Sequence, residues 1–271
     1  MLQEVEIREI TTSEQLQQLQ ALDLKIWEGQ ALPTHQTLGA ARNGGILLGA
    51  YFQEELIGFS YSFVGYEEEQ MYLYSHMLGV EQTKREHGVG ELLKHKQKEI
   101  AKEKGYRLIK WNFDPLQSSN AMLSFTKLGA ISQTYVNDYY GNLSDFFNAG
   151  LPSDRLTVDW WIQRGELTSV IEELVEEAKP IVDWQLTPAG LPALQAFDTT
   201  IDYLQDAYTV PIPQYFQKLK VESDTLAEDW RYKMRAILTT LFNQGYAIVH
   251  VIRGKEHVNE YLVVKKSILA L

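Results

Sequence analysis

The chain has 271 residues, enough for one large core or two small ones, and its 45% hydrophobic and 23% charged composition is that of a globular protein. A net charge of −11 argues against nucleic acid as a partner, because neutralising phosphates takes a basic face; it suits a cationic acceptor, or solubility alone. There is no cysteine, which excludes disulfides, a thiolate nucleophile and cysteine-ligated metal. No apolar run approaches the ~20 residues of a membrane span, and the opening MLQEVEIREI has no leader pattern. A cytoplasmic protein without a membrane partner is expected.

In chain order, residues 5–10 read as a strand. Thr12 and Gln15 have capping-box spacing and open a helix to about Trp27. Residues 28–45, with Pro33, Gly39, Gly44 and Gly45, read as a loop holding a short helix. Residues 46–52 and 56–64 are strands joined by Gln53-Glu54-Glu55, and Glu67-Glu68-Glu69 is a solvated turn.

Residues 71–114 are the informative stretch. In the strand 71–80, Tyr72, Tyr74, His76, Leu78 and Val80 alternate onto one face, and Met71, Leu73, Ser75, Met77 and Gly79 onto the other. Arg85-Glu86-His87-Gly88-Val89-Gly90 follows and opens a helix. Two glycines let backbone approach a ligand, and the first helical turn aims unpaired N–H groups at it, which suits phosphate. The loop lacks both the dinucleotide fingerprint and a Gly-Lys-Ser/Thr. Val89, Leu92, Leu93, Ile100 and Ala101 form the apolar stripe of the helix, with lysines opposite. Gly105 stops it, and residues 107–113 read as a buried strand.

Asp114-Pro115 ends that strand, and Ser118 is expected to cap a helix over 119–127 that stops at Gly129. Residues 130–135 and 157–162 read as closing strands around a long loop carrying Tyr139-Tyr140-Gly141 and Asp154-Arg155. Then come an acidic helix over 166–179, a less regular stretch punctuated by prolines, a helix over 224–243 and a hairpin of 246–252 with 258–265. The expected division is 1–165, carrying the glycine loop, and 166–271, a smaller α+β subdomain.

Arg85, Gly88 and Gly90, set between strand and helix, resemble the Arg/Gln-x-x-Gly-x-Gly/Ala pyrophosphate signature of the GNAT superfamily of acyl-CoA N-acyltransferases. Asn120-Ala121 followed by Leu128-Gly129 looks like that family's Asn-x-x-Ala…Leu-Gly-Phe segment, and the matches cover about residues 70–135. Ser75-His76-Met77-Leu78, Asp114-Pro115-Leu116, Asn120-Ala121 and Asp154-Arg155-Leu156 are similar, more narrowly, to a group of uncharacterised bacterial predicted acetyltransferases. The resemblance implies an α/β (α+β) fold: a mixed, mostly antiparallel central sheet flanked by helices, with a C-terminal α+β extension. It implies acetyl-CoA or another short acyl-CoA as co-substrate. Arg85, His87, Gly88, Val89 and Gly90 would hold its pyrophosphate. Backbone at Leu78 and Val80 would run beside the pantetheine arm, with Asn120 hydrogen-bonding it.

His76 is the candidate general base, because an imidazole titrating near pH ~6.5 suits proton removal at neutral pH; the alternative is a half-buried histidine satisfied by a carbonyl. Phe125 stands where many members of the family carry a tyrosine that protonates the departing thiolate, so Tyr139 or Tyr140 is a candidate substitute, or packs the loop. Trp27 and Arg155 are candidates for the acceptor side. No histidine pair has metal-ligand spacing, and no metal is expected. The reading is transfer of an acyl group, acetyl by default, from acyl-CoA to a small-molecule amine. Its rivals are a non-catalytic acyl-CoA-binding or regulatory module and a protein acetyltransferase. A homo-oligomer is left open.

Overall fold

The computed structural model describes residues 4–27, 32–85, 87–141, 150–164, 168–198 and 203–269. The chain forms two compact units, residues 1–111 with 160–164, and residues 112–159 with 165–271. No described helix is long and apolar enough to cross a membrane.

The first unit contains β1 (Val5–Glu9), α1 (Ser13–Trp27), α2 (Thr34–Arg42), β2 (Ile46–Phe52), β3 (Glu55–Glu67), β4 (Gln70–Val80), α3 (Val89–Glu103) and the start of β5 (Leu108–Phe113). Strands β1 to β4 pair antiparallel in sequence order, and β5 runs parallel to β4. The capping box forms as its spacing predicts: Gln15 N–H donates to Thr12 Oγ1 at 3.3 Å, and Thr12 N–H to Gln15 Oε1 at 3.1 Å. Gln53 and Glu54 in one hairpin, and Glu68 and Glu69 in the next, take the positive φ of two-residue turns, between 47° and 63°.

Adjacent strand residues point to opposite faces, so one sheet serves two sets of helices. Leu16, Leu19 and Leu22 of α1 pack with Leu47, Tyr51, Phe59 and Tyr61, and Leu38 and Ala41 of α2 join them. On the other face, Gln97 of α3 donates to Ser60, the neighbour of Phe59.

The second unit contains α4 (Ser118–Ala121), continued by a π-helical turn over Met122–Lys127, then β6 (Ile131–Val136) and β7 (Arg155–Trp161) up to Asp159. After these come α5 (Thr168–Glu177), β8 (Lys179–Pro180), β9 (Trp184–Leu186), β10 (Pro192–Leu194), β11 (Ala207–Pro213), α6 (Phe216–Glu222), α7 (Asp224–Asn243), β12 (Tyr246–Ile252) and β13 (Val258–Lys265). The strand order is β7-β6-β12-β13-β11-β8, with β9 and β10 paired separately. Only β8 against β11 is parallel there, so the described sheets are mostly antiparallel, as the sequence implied.

Trp230, Met234, Ile237, Leu238 and Leu241 of α7 are fully buried, and Gly245 ends the helix with φ +84°. The strand β11 was hidden by its prolines. Because β8 pairs only with Tyr208 and Thr209, β11 is an outer edge at Pro211 and Pro213, where a sheet tolerates a missing N–H. Ser118 is not the expected cap. It is the first residue inside the helix, and its Oγ accepts from Asn259 Nδ2 at 2.7 Å.

Asp154 is the polar centre of this unit. Fully buried, it takes a bidentate pair from Arg235 at 2.9 and 2.7 Å, the Tyr135 hydroxyl at 2.7 Å and the Asp138 N–H at 3.0 Å. Burial by itself raises its pKa, but these donors outweigh burial and hold the carboxyl below its ordinary 3.8. A depressed carboxylate contributes stability that is present above the unfolded-state pKa, near ~3.9, and is lost as pH falls through the folded value. Asp154→Ala leaves Tyr135 and Arg235 without their acceptor, and is expected to lower unfolding free energy by about 3 kcal/mol in urea titrations at pH 7. The deficit relative to wild type should shrink as both proteins are taken below pH ~4.

Candidate active site

The strands β4 and β5 pair at only two positions, Leu73 with Ile109 and Tyr74 with Lys110. From Ser75 onward the β5-facing edge of β4 has no ladder among the described residues. On its other edge, β4 pairs with β3 up to Ser75–Ser62 and resumes at Met77–Tyr61, so His76 is an extra residue, a β-bulge. The bulge changes the facing that simple alternation predicts. His76 lies with Tyr74 on the α1 face, together with Met77 and Gly79, while Leu78 joins Leu73 and Ser75 on the α3 face. His76 and Leu78 therefore do not share a face, because one unpaired residue inverts the alternation beyond it.

His76 is exposed, and its ring is flanked by three aromatic rings. Its centroid lies 5.5 Å from Phe63, 5.9 Å from Tyr61 and 6.0 Å from Tyr74. Burial pushes its pKa below the ordinary 6.5, so the ring is neutral at pH 7. Among the described residues no hydrogen bond engages its nitrogens, which leaves a lone pair available and disfavours the structural alternative of a carbonyl-satisfied histidine. Trp27, the last residue of α1, meets Phe59 edge-on at 5.7 Å and stands over Gly79, where an added Cβ would lie 2.7 Å from its ring. It walls the same face two residues beyond the bulge.

Backbone polarity follows the same register. Glu81 N–H donates to Ile57 of the preceding hairpin at 2.9 Å, so the peptide groups of Leu78 and Val80 face the opposite, unpaired edge. The Val80 carbonyl there accepts from Arg85 Nε at 3.1 Å. Arg85 thus folds back onto the strand end and ties the loop to it. His87 Nδ1 donates to the Arg85 carbonyl at 2.8 Å, an internal loop contact. Gly88 takes the left-handed conformation, φ +72° and ψ +8°, and flanks α3 without a side-chain cap. The first-turn amides of Val89 and Gly90 therefore stay open to an anion, while the buried Val89 side chain packs toward Gly58. This glycine-capped cradle, beside a free strand edge, fits a phosphate-bearing ligand with an extended amide arm.

The remaining candidates belong to the second unit. Asn120 is exposed on α4. Tyr139 and Tyr140 are about two-fifths exposed and meet edge-on at 4.6 Å, and Arg155 lies 5.1 Å from the Tyr140 ring. Phe125 is core: it is 1% exposed and packs against Phe113 and Tyr261 at 5.8 and 5.9 Å. Much of the loop after Gly141, and Glu86, lie outside the described residues.

The sequence reading missed Lys94 and Gln97. Both are buried on the sheet side of α3 rather than solvated opposite it. Their spacing carries the signal, since Gly90, Lys94, Gln97 and Ala101 fall on one stripe at steps of three or four.

No family model matches the chain, and no curated relative does. Solved structures do resemble it. Arabidopsis thaliana Naa50, in complex with the bisubstrate analogue CoA-Ac-MVNAL, is 18% identical over 58% of this chain and 97% of its own, with a TM-score of 0.47. The ribosomal-protein-S18-alanine N-acetyltransferase of Escherichia coli is 10% identical over 60% of this chain and 97% of its own, with a TM-score of 0.49. A GNAT-family acetyltransferase from Streptococcus pneumoniae is 15% identical over 58% of this chain and 98% of its own, with a TM-score of 0.48.

Two outcomes test the cradle and the ring. Gly88→Val puts a β-branched residue at positive φ, and is expected to weaken CoA binding at least ~tenfold by calorimetry. NMR titration of the His76 ring is expected to give a midpoint below 6.5.

Proposed function

We propose that this chain is an acyl-CoA-dependent N-acyltransferase that moves a short acyl group, acetyl by default, to the amine of a small molecule. The observation that carries the reading is the β4 bulge. It leaves an aromatic-flanked His76 on one face and sends Leu78 to the other, in a strand whose free edge runs to a glycine-capped helix. Such a strand edge suits an extended amide arm as an added strand, and the helix cradle suits its phosphates.

Bound there, acyl-CoA supplies the activated acyl group. The residues of the chain supply the rest. The α3 first-turn amides hold the pyrophosphate, and Arg85 keeps the loop against Val80. The Leu78 N–H, on the free edge, stabilises developing oxyanion charge, a role typically worth about 3 kcal/mol. His76 takes the proton of the attacking amine, directly or through water, and its lowered pKa keeps it in the base form at pH 7. Trp27 walls the acceptor side. Phe125 is core of the second unit and supplies no acid, so we assign protonation of the departing thiolate to solvent.

Calorimetry with acetyl-CoA, succinyl-CoA and free CoA, followed by a thiol-release assay against pooled amino acids and polyamines, tests the reading. Binding with release to small amines is expected. Release only to a protein lysine or N-terminus would move the activity to proteins. Binding without any release would leave a ligand-binding module. His76→Gln is expected to lower kcat by roughly 10²–10⁴ with little change in CoA affinity. The wild-type rate should rise with pH through an apparent pKa below 6.5.

A further inference from the structure

Helix α3 buries a lysine where packing alone calls for an apolar residue. Lys94 is 2% exposed. Its Nζ donates to Ser75 Oγ at 2.8 Å, lies 3.4 Å from Gln97 Oε1 and stands 3.8 Å from the centre of the Trp111 ring. Among the described residues no carboxylate pairs with it. Desolvation pulls its pKa down to about 7, so it is roughly half charged at neutral pH. A methionine would fill the volume without the cost of burying an amine, so volume does not account for it.

Its place in the fold does. Ser75 and Trp111 are the first residues of β4 and β5 beyond their last pair, Tyr74 with Lys110. The amine therefore sits where the two parallel strands stop pairing, and Ser75 immediately precedes the bulged His76. One turn along α3, Gln97 Nε2 donates to Ser60 Oγ at 3.3 Å. Ser60 is the partner of Leu78, on the far side of the bulge. A single helical turn thus grips both flanks of the one irregularity in β4, and the same helix begins at the Gly88 cradle.

We propose that Lys94, assisted by Gln97, is a positioning residue that holds the β4 bulge, and with it the His76 ring in its place among Tyr61, Phe63 and Tyr74. The consequence for catalysis rests on His76 being the base; the structural claim does not. The groups facing Lys94 are Ser75, Gln97 and Trp111, none of them ionisable. Those facing His76 are Phe63, Tyr61 and Tyr74, with Tyr61 raised further above 10 by burial. Helix α1 adds apolar Ile26 and Trp27 beside Gly79. A change in the His76 midpoint therefore reads the Lys94 anchor. Losing the anchor lets the strand relax and the ring leave its aromatic neighbours, and the lost desolvation raises the midpoint.

The test is an NMR pH titration of the histidine rings in full-length wild type, Lys94→Met and the milder Ser75→Ala, with thermal unfolding to establish folding. The His76 midpoint is expected to rise by about half a unit or more in both variants, with His250 of the second unit as the control. A folded variant with an unshifted His76 overturns the proposal, and Ser75→Ala decides alone if Lys94→Met does not fold. Thiol-release pH profiles of the same proteins separate the two readings. A shifted His76 midpoint with an unshifted rate profile keeps the anchor and removes His76 as base.

Discussion

Between Ser75 and Met77, β4 carries one residue more than β3 can pair, and the other features of the first unit are arranged around that surplus. Without it, strict alternation from Tyr74 would carry Leu78 to the α1 face along with His76. With it, His76 joins Tyr61 and Phe63 on the α1 side, while Leu78 and Val80 keep their peptide groups on the edge away from β3. The bulge thus divides roles between the two faces and the free edge of one strand. Truncated pairing with β5 is the second half of the arrangement, since a full ladder would consume the same backbone groups.

An irregular strand next to an unpaired edge is costly unless something holds it, and the unit holds it with buried polarity. Lys94, Ser75, Gln97 and Ser60 form a chain of side-chain contacts beneath the bulge, and Trp111 covers the amine. The second unit uses the same device with full charges. Asp154 gathers Arg235, Tyr135 and Asp138 at one carboxylate, and Arg231 pairs with Asp114 nearby in the chain's own second unit. At Lys94 and at Asp154 the polar group has its partners inside the fold, which is the condition for burying it.

Much of this was legible in the residues. The capping box at Thr12 and Gln15, the helix stops at Gly105 and Gly245 and the glycine turn that opens α3 all follow from local chemistry, which nearby residues carry; the mostly antiparallel sheet was implied by the family resemblance. The strand β11 was not legible, because Pro211 and Pro213 speak against a strand unless one knows that β8 leaves that edge unpaired. Nor was the role of Ser118, whose hydroxyl is claimed by Asn259 from far along the chain.

The sequence by itself determined the elements of the first unit and the glycine loop ahead of α3, since turn geometry, capping and helical period depend on residues a few positions apart. Tertiary structure alone decided which way His76 points, where Lys94 lies and that Phe125 is core. A bulge exists only relative to a partner strand, and burial exists only relative to what packs on top. The imidazole, the amine and the phenyl ring were all visible from the start. Their surroundings come from β3, β5 and β13, and no local pattern in β4 or α3 encodes them.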